Sequence, residues 1–397
     1  MAHSDPSVDD HAALVRSLLA ALSTRTGESV ALAEALGRVT AAAVLSPVDL
    51  PLFRNSQMDG FAVVSADLLE LPVTLPIVAE IAARAGIPAP LLAGTVARIM
   101  TGAVLPEGAD VVVPVEDTTS TRDHVTFTRR RSVGDFVRER ASDLHAGDAL
   151  LPSGQRLAAR HLAVLAAAGL DRVTVNTLVA VAVITTGAEL IPVGQEATIG
   201  QVFDANSVAL VAAVTAAGAS VVAEFRVTDD HTAMRLALQL AVSGAELVVT
   251  SGGISMGEYE VVREVLEPLG AAIGHIAMQP GGPQATTVVD GIPIISFPGN
   301  PVSTQISFEI FVAPILREIA ALPPAVRCTR ELATAVRSIQ GKRQFLRGLL
   351  LSNGRVAVVG GPSSHLIAGL AASDLLIDLA AEISELNEGD TVETLAL

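Results

Sequence analysis

Cysteine is almost absent from this sequence, because Cys328 is the only one among 397 residues. One cysteine excludes an intramolecular disulfide framework and any zinc site built on several cysteines. This usage is typical of a reducing compartment, and we expect a cytoplasmic location. The eight histidines show no HxH or HExxH spacing, so the sequence contains no zinc motif of that kind either.

Positive charge is also scarce, since 26 Lys and Arg stand against 42 Asp and Glu, for a formal net charge of -16. A negatively charged surface argues against a nucleic-acid partner, because nucleic acids are themselves negatively charged. The opening MAHSDPSVDD lacks the charged-then-apolar pattern of a signal peptide, and we expect no export. The longest apolar stretch, residues 205–223, is interrupted by polar residues and glycine, so we expect a helix and a strand there and no membrane span.

Apolar residues are abundant, at 50% of the chain, which is enough for the cores of two to four domains. Leucines recur on one helical face between Leu14 and Leu22, and an alanine-rich stretch follows from Leu32 to Leu45, so we predict helix over much of residues 9–45. Short β runs lie between residues 61 and 128, and a helical pattern returns from Pro152 to Gly169. This order predicts a helical domain that is split by an inserted β domain.

From Leu178 onwards, apolar runs of strand length alternate with helical segments. The predicted strands are Val179–Ile184, Ser220–Val227, Leu247–Thr250 and Ile292–Phe297, and the predicted helices are Asn206–Ala217, His231–Val242, Tyr259–Leu269 and Pro301–Ile319. Such alternation predicts a doubly wound α/β sheet. Strand signals around a turn at residues 352–354 favour a small β barrel or sandwich at the end of the chain.

The segment Glu246–Leu269 is the strongest single indication of a ligand site, because a strand, a glycine-rich loop and a helix follow one another directly. In an open parallel sheet the ligand crevice lies beyond the carboxyl ends of the strands, where loop amides and a helix N-terminus face an anion. The pattern therefore predicts a phosphate-binding loop. Helix initiation alone would explain it equally well, since Ser255 and Glu258 have the spacing of a capping box.

Polar loops also follow the other strands predicted for this sheet, at residues 185–189, 228–230 and 298–303. If they meet at one sheet edge, they form a cleft rich in carboxylates and hydroxyls. Carboxylates beside an anion make chemical sense when a divalent cation bridges the two, and Mg²⁺ is the natural candidate. Helix capping is the competing explanation for several of these side chains, among them Asp204, Asn206, Asp229 and Asn300.

Seven segments occur in an order that spans nearly the whole chain: SPVDLPLFRNSQMDGFAV, MTGAVLPEGADVVVPVED, ITTGAEL, GQVFDANSVAL, VTSGGISMGE, FPGNPVS and SSHLIAGLAASDLLI. Together they resemble the molybdopterin molybdenumtransferase family, the MoeA and gephyrin E-domain proteins. The resemblance implies an α/β multidomain protein, an elongated homodimer whose active cleft lies between the α/β domain of one subunit and the β domain of the other. The implied domains are a split helical domain at 1–50 and 144–177, an inserted β domain at 51–143, an α/β molybdopterin-binding domain at 178–326 and a C-terminal β barrel at 327–397.

Members of that family cleave adenylylated molybdopterin in a Mg²⁺-dependent reaction, insert molybdate at the dithiolene, and release AMP and molybdenum cofactor. The resemblance implies a set of catalytic carboxylates, which are Asp59, Asp143, Glu189 and Asp229. It implies metal ligands at Asp229 and Glu260. It also implies a set of residues that bind the pterin, its phosphate or molybdate, which are Thr101, Gly252, Gly253, Ser255, Pro298, Pro301 and Ser303.

The sequence departs from the family pattern where that pattern carries positive charge. His275, Gln279 and Gly282 stand where lysines are common, and the loss of such cations predicts a weaker anion site unless Arg343 or Arg347 compensates. Two other functions therefore compete with molybdenum insertion. One is a pterin-binding or scaffold protein that has lost turnover, and the other is a molybdopterin adenylyltransferase, against which the additional β domains argue.

Overall fold

The computed structural model describes residues 5–255 and 260–397 of the chain. They form two compact units. One combines the N-terminal residues up to Gly27 with Asn176–Leu397, and the other is Glu28–Val175. The second unit is thus an insertion in the first. It is wider than the β domain predicted at 51–143, because it includes most of the flanking segments that were assigned to a separate helical domain.

The first helix, α1 (Val8–Leu18), begins at a capping box in which the Ser7 side chain accepts from the Asp10 amide at 3.1 Å. Its apolar face is buried in the core of its own unit through Val8 and Val15. The helix predicted near Leu14 is therefore confirmed, but it ends at Leu18 instead of continuing.

The inserted unit consists mainly of short strands. Its elements are β1 (Gly27–Ala31), β2 (Val44–Leu45), β3 (Asn55–Ser56), β4 (Gly60–Val63), β5 (Val73–Ile81), β6 (Val96–Ile99), β7 (Val111–Pro114), β8 (Thr118–Ser120), β9 (His124–Phe127), β10 (Val137–Arg138), β11 (Ala149–Leu151), α2 (Ala159–Ala167) and β12 (Arg172–Asn176). The main sheet has the order β7-β4-β6-β5-β9-β8 and packs Phe61, Val113 and Phe127 against one another. The β runs predicted between residues 61 and 128 are confirmed.

The helix predicted over Leu32–Leu45 is wrong. Gly37 has a φ of 78°, in the left-handed region that ends helices, and its amide donates to the Leu157 carbonyl at 2.8 Å. The Thr40 amide donates in the same way to Gln155 at 3.0 Å. The alanine-rich composition favours helix locally, but these pairings with a distant segment supply the backbone hydrogen bonds instead. They also delay the next helix, so that α2 is shorter than predicted.

The α/β part of the larger unit follows the predicted alternation. Its elements are β13 (Ala180–Thr186), β14 (Leu190–Ile191), β15 (Val202–Phe203), α3 (Ala205–Ala216), β16 (Ser220–Val227), α4 (His231–Gly244), β17 (Leu247–Ser251), α5 (Val261–Leu266), β18 (Ala272–His275), β19 (Met278–Gln279), β20 (Pro283–Val289), β21 (Ile292–Phe297), α6 (Pro301–Phe311) and α7 (Ala313–Ile319). The sheet order is β16-β13-β17-β21-β20-β18. β16, β13, β17 and β21 are parallel, whereas β20 and β18 are antiparallel additions at one edge.

Successive residues of β13 face opposite sides of this sheet. Val181 and Val183 belong to the core that includes residues of α1, α3 and α6, while Ala182 and Ile184 belong to the core with α4 and α5. Helices therefore cover both faces, which confirms the doubly wound α/β architecture. The helix predicted at Pro301–Ile319 is divided into α6 and α7, because Pro314 has no amide hydrogen to continue the ladder. Of the helix predicted at Tyr259–Leu269, Tyr259 lies outside the described residues, as does Glu258 of the proposed capping box.

The C-terminal part is a mainly antiparallel sheet with the order β19-β24-β26-β28-β22. Its elements are β22 (Arg327–Glu331), β23 (Val336–Arg337), β24 (Arg343–Leu350), β25 (Val356–Val358), α8 (Ala368–Ala371), β26 (Leu375–Leu379), β27 (Glu385–Leu386) and β28 (Thr391–Ala396). The turn predicted at residues 352–354 joins β24 to β25. Across the described part of the chain, we find no helix with the length and apolar character that a bilayer crossing requires.

Candidate functional site

A cavity of about 390 Å³ lies beyond the carboxyl ends of β13, β17 and β21. The polar loops that follow these strands all contribute to it, and the loop after β16 adds Asp229. Its described lining is Thr186, Gly187, Glu189, Leu190, Asn206, Asp229, Gly252, Gly253, Ile254, Ser255, Glu260, Pro283, Pro298, Gly299 and Asn300. The fold therefore brings Glu189, Asp229, Glu260, Gly252, Gly253, Ser255 and Pro298 to one cavity, as expected of an open parallel sheet.

The glycines after β17 allow this loop to pass very close to its neighbour. Gly252 has a φ of 96°, and a Cβ atom there would lie 2.5 Å from the Thr186 carbonyl oxygen. Gly253 also has a positive φ, of 65°. A side chain at Gly252 would collide with backbone, so the close approach requires glycine. Both glycines line the cavity, and glycine-rich loops at the ends of parallel strands are a common type of phosphate site.

Asn206 joins two walls of the cavity, which the sequence did not predict. Its Nδ2 donates to Ser251 Oγ at 2.8 Å and to the Gly299 carbonyl at 2.7 Å, so one amide ties the ends of β17 and β21 together. Its Oδ1 is buried and has no hydrogen-bond partner among the described residues. Helix capping had seemed sufficient for this residue, but Asp204 caps α3 by accepting from the Ser207 amide at 3.0 Å. The sequence did contain one indication of this role. It offered both Asp204 and Asn206 as caps for α3, although a helix needs only one N-cap residue.

Asp229 is likewise not a helix cap. Asp230 caps α4 through its Oδ1, which accepts from the Ala233 amide at 2.6 Å. Asp229 instead accepts from the Ala188 amide at 3.2 Å and lines the cavity. Glu260 lines it too, with one carboxylate oxygen accepting from the Ser255 amide at 2.8 Å. These two hydrogen bonds use one oxygen of each carboxylate, Asp229 Oδ2 and Glu260 Oε2.

The donor set suits a hard cation, because the cavity offers carboxylate, hydroxyl and amide oxygens. Among the described residues, no group of three or more His, Cys, Asp or Glu side chains is close enough to enclose a metal ion. Mg²⁺ is usually held by one or two carboxylates together with substrate phosphates and water. Asp229 and Glu260 fit that open arrangement, whereas they do not form a closed site.

Positive charge is missing from the described lining of the cavity, which contains three acidic residues and no Lys, Arg or His. Arg343 and Arg347, the two arginines that could compensate, are engaged elsewhere. Arg343 pairs with Asp378 and Asp9, and the guanidinium of Arg347 is buried, where it donates to the carbonyls of residues 361, 363 and 366. The prediction of a cation-poor anion site therefore keeps its basis.

The three positions where lysines were missing differ in their relation to the cavity. The Gln279 side chain is hydrogen-bonded to Gln344 in the C-terminal sheet, and it is not part of the described lining. Gly282 immediately precedes Pro283, which is part of the lining.

Of the remaining predicted contacts, Pro301 and Ser303 lie in the first turn of α6 and are not among the described lining residues, although Asn300 before them is.

Asp59 and Thr101 form a separate pair in the inserted unit. Asp59 Oδ1 accepts from both the amide and the hydroxyl of Thr101, each at 2.7 Å. These two hydrogen bonds hold the pKa of the Asp59 carboxyl below its usual value, so that it stays ionised. Only glycine fits at the next position, Gly60, since a Cβ atom there would lie 2.2 Å from the Val113 carbonyl oxygen. The last predicted carboxylate, Asp143, is exposed in this unit, and its amide donates to the Leu50 carbonyl at 3.0 Å.

Three family models match successive parts of the chain. They describe the MoeA N-terminal region (domain I and II) at residues 6–169, a probable molybdopterin binding domain at 182–318 and the MoeA C-terminal region (domain IV) at 329–397. A Mycobacterium tuberculosis protein named molybdopterin molybdenumtransferase 2 is 37% identical over 401 residues, which cover 98% of each chain. The chain belongs to the molybdopterin molybdenumtransferase family.

Two further relatives match this chain over most of its length. A molybdopterin molybdenumtransferase from Nostoc sp. is 38% identical over 327 residues, which cover 80% of this chain and 75% of that protein. The crystal structure of a molybdopterin biosynthesis MoeA protein from Pyrococcus horikoshii superposes with a TM-score of 0.81 at 28% identity, and the match covers 99% of both chains. The multidomain α/β fold of the family is thereby confirmed for this chain.

Proposed function

We propose that this protein inserts molybdenum into adenylylated molybdopterin and releases AMP and molybdenum cofactor. The observation that carries the proposal is the cavity at the sheet edge. There, a glycine-rich loop lines the same cavity as Glu189, Asp229 and Glu260. A site of this composition suits a phosphorylated ligand that is bound together with a hard cation.

Asp229 and Glu260 would hold Mg²⁺, which when bound neutralises phosphate charge. Gly252 and Gly253 line the cavity in which the phosphate of the pterin would lie, and Asn206 keeps the two loops around it in register. We assign roles in cleavage of the phosphoanhydride and in proton transfer to the remaining carboxylates, which are Glu189, Asp143 and Asp59. Hydrogen bonds from Thr101 keep Asp59 ionised.

We further propose that the protein is a homodimer located in the cytoplasm. In α1, Val8 and Val15 are buried within the chain's own core, whereas Leu14 is exposed. The dimer rests on family membership.

Product analysis with the purified protein, adenylylated molybdopterin, molybdate and Mg²⁺ tests the function. We expect equal amounts of AMP and molybdenum cofactor, and we expect Asp229→Asn to abolish both. Binding without turnover in the parent would support the scaffold function, which the absence of cations in the described lining favours as the second candidate. Formation of adenylylated pterin from ATP and molybdopterin would instead identify an adenylyltransferase.

A further inference from the structure

A second cavity, of about 310 Å³, lies at the opposite end of α6 from the cavity at the sheet edge. The helix begins directly after Asn300, which lines the cavity at the sheet edge, and its last turn contributes Glu309 to the second cavity. All described lining residues belong to the larger unit, and none of them lines the first cavity. The volume is at the small end of the range for ligand sites, which begins at about 300 Å³.

Most of the wall of this cavity is apolar, and a chain reversal completes it. The α7 helix ends at Ile319, and the chain turns at Ala321, which has a φ of 48°. After this turn the Leu322 amide donates to the Arg317 carbonyl at 2.8 Å. The apolar lining therefore comes from both sides of the turn and consists of Ala313, Pro314, Leu322, Pro324 and Ala325. Such a wall suits a small aliphatic group.

Glu309 is a carboxylate without a partner in these apolar surroundings. It is partly buried, and no hydrogen bond or ion pair joins its side chain to the described part of the chain. Burial raises the pKa of the Glu309 carboxyl, and the charge of Arg317 offsets only part of that rise. A cationic group that enters the cavity would stabilise the ionised carboxylate.

Arg317 supplies a charge of the opposite sign to the same cavity. Its Nε and Nη2 donate to the Pro323 carbonyl at 3.1 and 2.9 Å, which orients the guanidinium without neutralising it. In the part of the chain that the structure describes, no carboxylate lies within ion-pair distance of Arg317. The other two charged residues of the lining, Arg16 and Glu318, are paired with each other at 2.7 Å. Glu309 and Arg317 are therefore the two charges that a ligand could pair with.

We propose that this cavity binds a small zwitterion, an α-amino acid with an aliphatic side chain. Its ammonium group pairs with Glu309, its carboxylate pairs with Arg317, and its side chain lies against the apolar wall. A simple cation would gain the contact with Glu309 but would be repelled by Arg317, and a simple anion would meet the reverse situation. A ligand that carries both charges satisfies both residues. This ligand site is independent of the proposed function, because the two cavities share no described lining residue.

Ligand-observed NMR titration of the full-length protein tests the site with three probes. They are L-valine, isobutylamine, which is valine without its carboxylate, and isovalerate, which is valine without its ammonium group. We expect valine to bind about tenfold more tightly than either of the others, because each of those lacks one charge-assisted contact.

Two variants assign the contacts. Glu309→Gln should weaken valine binding about tenfold and change isovalerate binding by less than about twofold, because only the ammonium contact is lost. Arg317→Gln should weaken valine binding and leave isobutylamine binding unchanged. Glu318→Gln is the matched control, since this glutamate lines the same cavity but is already paired with Arg16, and it should bind valine as the parent does.

The amino-acid site is contradicted if the parent shows no saturable binding of valine, or if Glu309→Gln binds valine as tightly as the parent. Isobutylamine that binds as tightly as valine would also overturn it, because Arg317 would then play no part. An equal loss in Glu318→Gln would show that general charge decides the affinity. Urea unfolding of Glu309→Gln should give parental stability, because its side chain has no partner to lose, so that weaker binding cannot come from misfolding.

Discussion

At the scale of single residues, the two carboxylates with the clearest surroundings are Asp59 and Asp229. Each accepts a backbone amide from a neighbouring loop, from Thr101 and Ala188, respectively. Neither caps a helix, so neither is needed to start an element of secondary structure. Each joins two loops, and the free energy of that contact is separate from the role in turnover that we propose.

Asp59→Asn should leave the fold intact and remove turnover. An asparagine Oδ1 can still accept both hydrogen bonds from Thr101, but the charge is lost, and loss of one electrostatic contact in a transition state typically costs about 100-fold or more in kcat. The rate of AMP release from adenylylated molybdopterin measures the effect. Asp123→Asn, an exposed aspartate in the same unit, is the control. Parental rates in Asp59→Asn would remove this residue from the mechanism.

His11 should make the stability of the protein depend on pH. It is buried in α1 with its ring edge-on to Phe311, and burial lowers its pKa from 6.5 to about 4. Below pH 6.5 the unfolded chain takes up a proton that the folded chain does not, so stability is complete above 6.5 and declines between 6.5 and 4. At pH 5.5 the loss should be about 1.4 kcal/mol.

Urea unfolding at pH 7.5 and pH 5.5 measures this loss, and His11→Phe provides the comparison. The variant cannot take up the proton, so the difference between its two unfolding free energies should be smaller by that amount. Equal pH dependence in both proteins would show that other groups govern acid sensitivity in this range.

At the scale of elements, sequence patterns were most reliable where local preference and tertiary packing agree. The predicted bounds are confirmed for two strands, Ser220–Val227 and Ile292–Phe297. Runs of β-branched residues between turn residues favour strand locally, and the packed sheet favours it too. The antiparallel strands β18 and β20 were missed. In the edge strand β18, Gly274 and His275 weaken the pattern, and the pairing of both strands is set by their neighbours in the sheet. Leu32–Leu45 failed for the converse reason, because its backbone partners lie more than a hundred residues away.

The same distinction applies to the candidate site. Strand order alone places the loops at one edge, and so the meeting of Glu189, Asp229 and Gly252 could be predicted. The bridging role of Asn206 could not, because it depends on the positions of Ser251 and Gly299 in two other loops. That Arg343 and Arg347 are engaged elsewhere also required the tertiary structure.

The loop before β20 is the place where added positive charge should matter. Gly282→Lys places a cation next to the lining residue Pro283. A Cβ atom at Gly282 would lie 3.3 Å from its nearest neighbour, His275 Nδ1, so a small adjustment accommodates the new side chain. We expect molybdate to bind more tightly by about 1.5 kcal/mol, near the lower end for a charge-assisted hydrogen bond.

Calorimetric titration with molybdate measures this gain, and Gln279→Lys is the matched control. Gln279 is bonded to Gln344 outside the described lining, so a lysine there should have little effect. A gain in Gln279→Lys alone, or none in Gly282→Lys, would mean that the charge deficit of this cavity does not limit anion binding.

At the scale of the whole molecule, the net charge of -16 and the acidic cavity act in the same direction, since both repel a free anion. Binding of molybdate and of the phosphorylated pterin should therefore strengthen with Mg²⁺ and with moderate salt. Like charge also makes copies of the chain repel one another at low salt, which is why the salt dependence of self-association is informative.

Sedimentation equilibrium should give twice the chain mass of 40.7 kDa at micromolar concentration. The physical reason is that oligomers with closed two-fold symmetry bury the same apolar patch on both subunits, which the family relationship leads us to expect here. The matched measurement at high salt separates a specific interface from charge effects. A mass of one chain under both conditions would contradict the homodimer.

Arg347 has a consequence for how the C-terminal sheet unfolds. The carbonyls that it binds belong to residues 361, 363 and 366, in a connection that contains little regular structure of its own. This connection is therefore held by a side chain of β24 and not by a ladder of its own. An amide that is hydrogen-bonded within the connection, such as Leu366 to the Ser363 carbonyl at 3.5 Å, should therefore exchange with solvent when Arg347 and β24 open together.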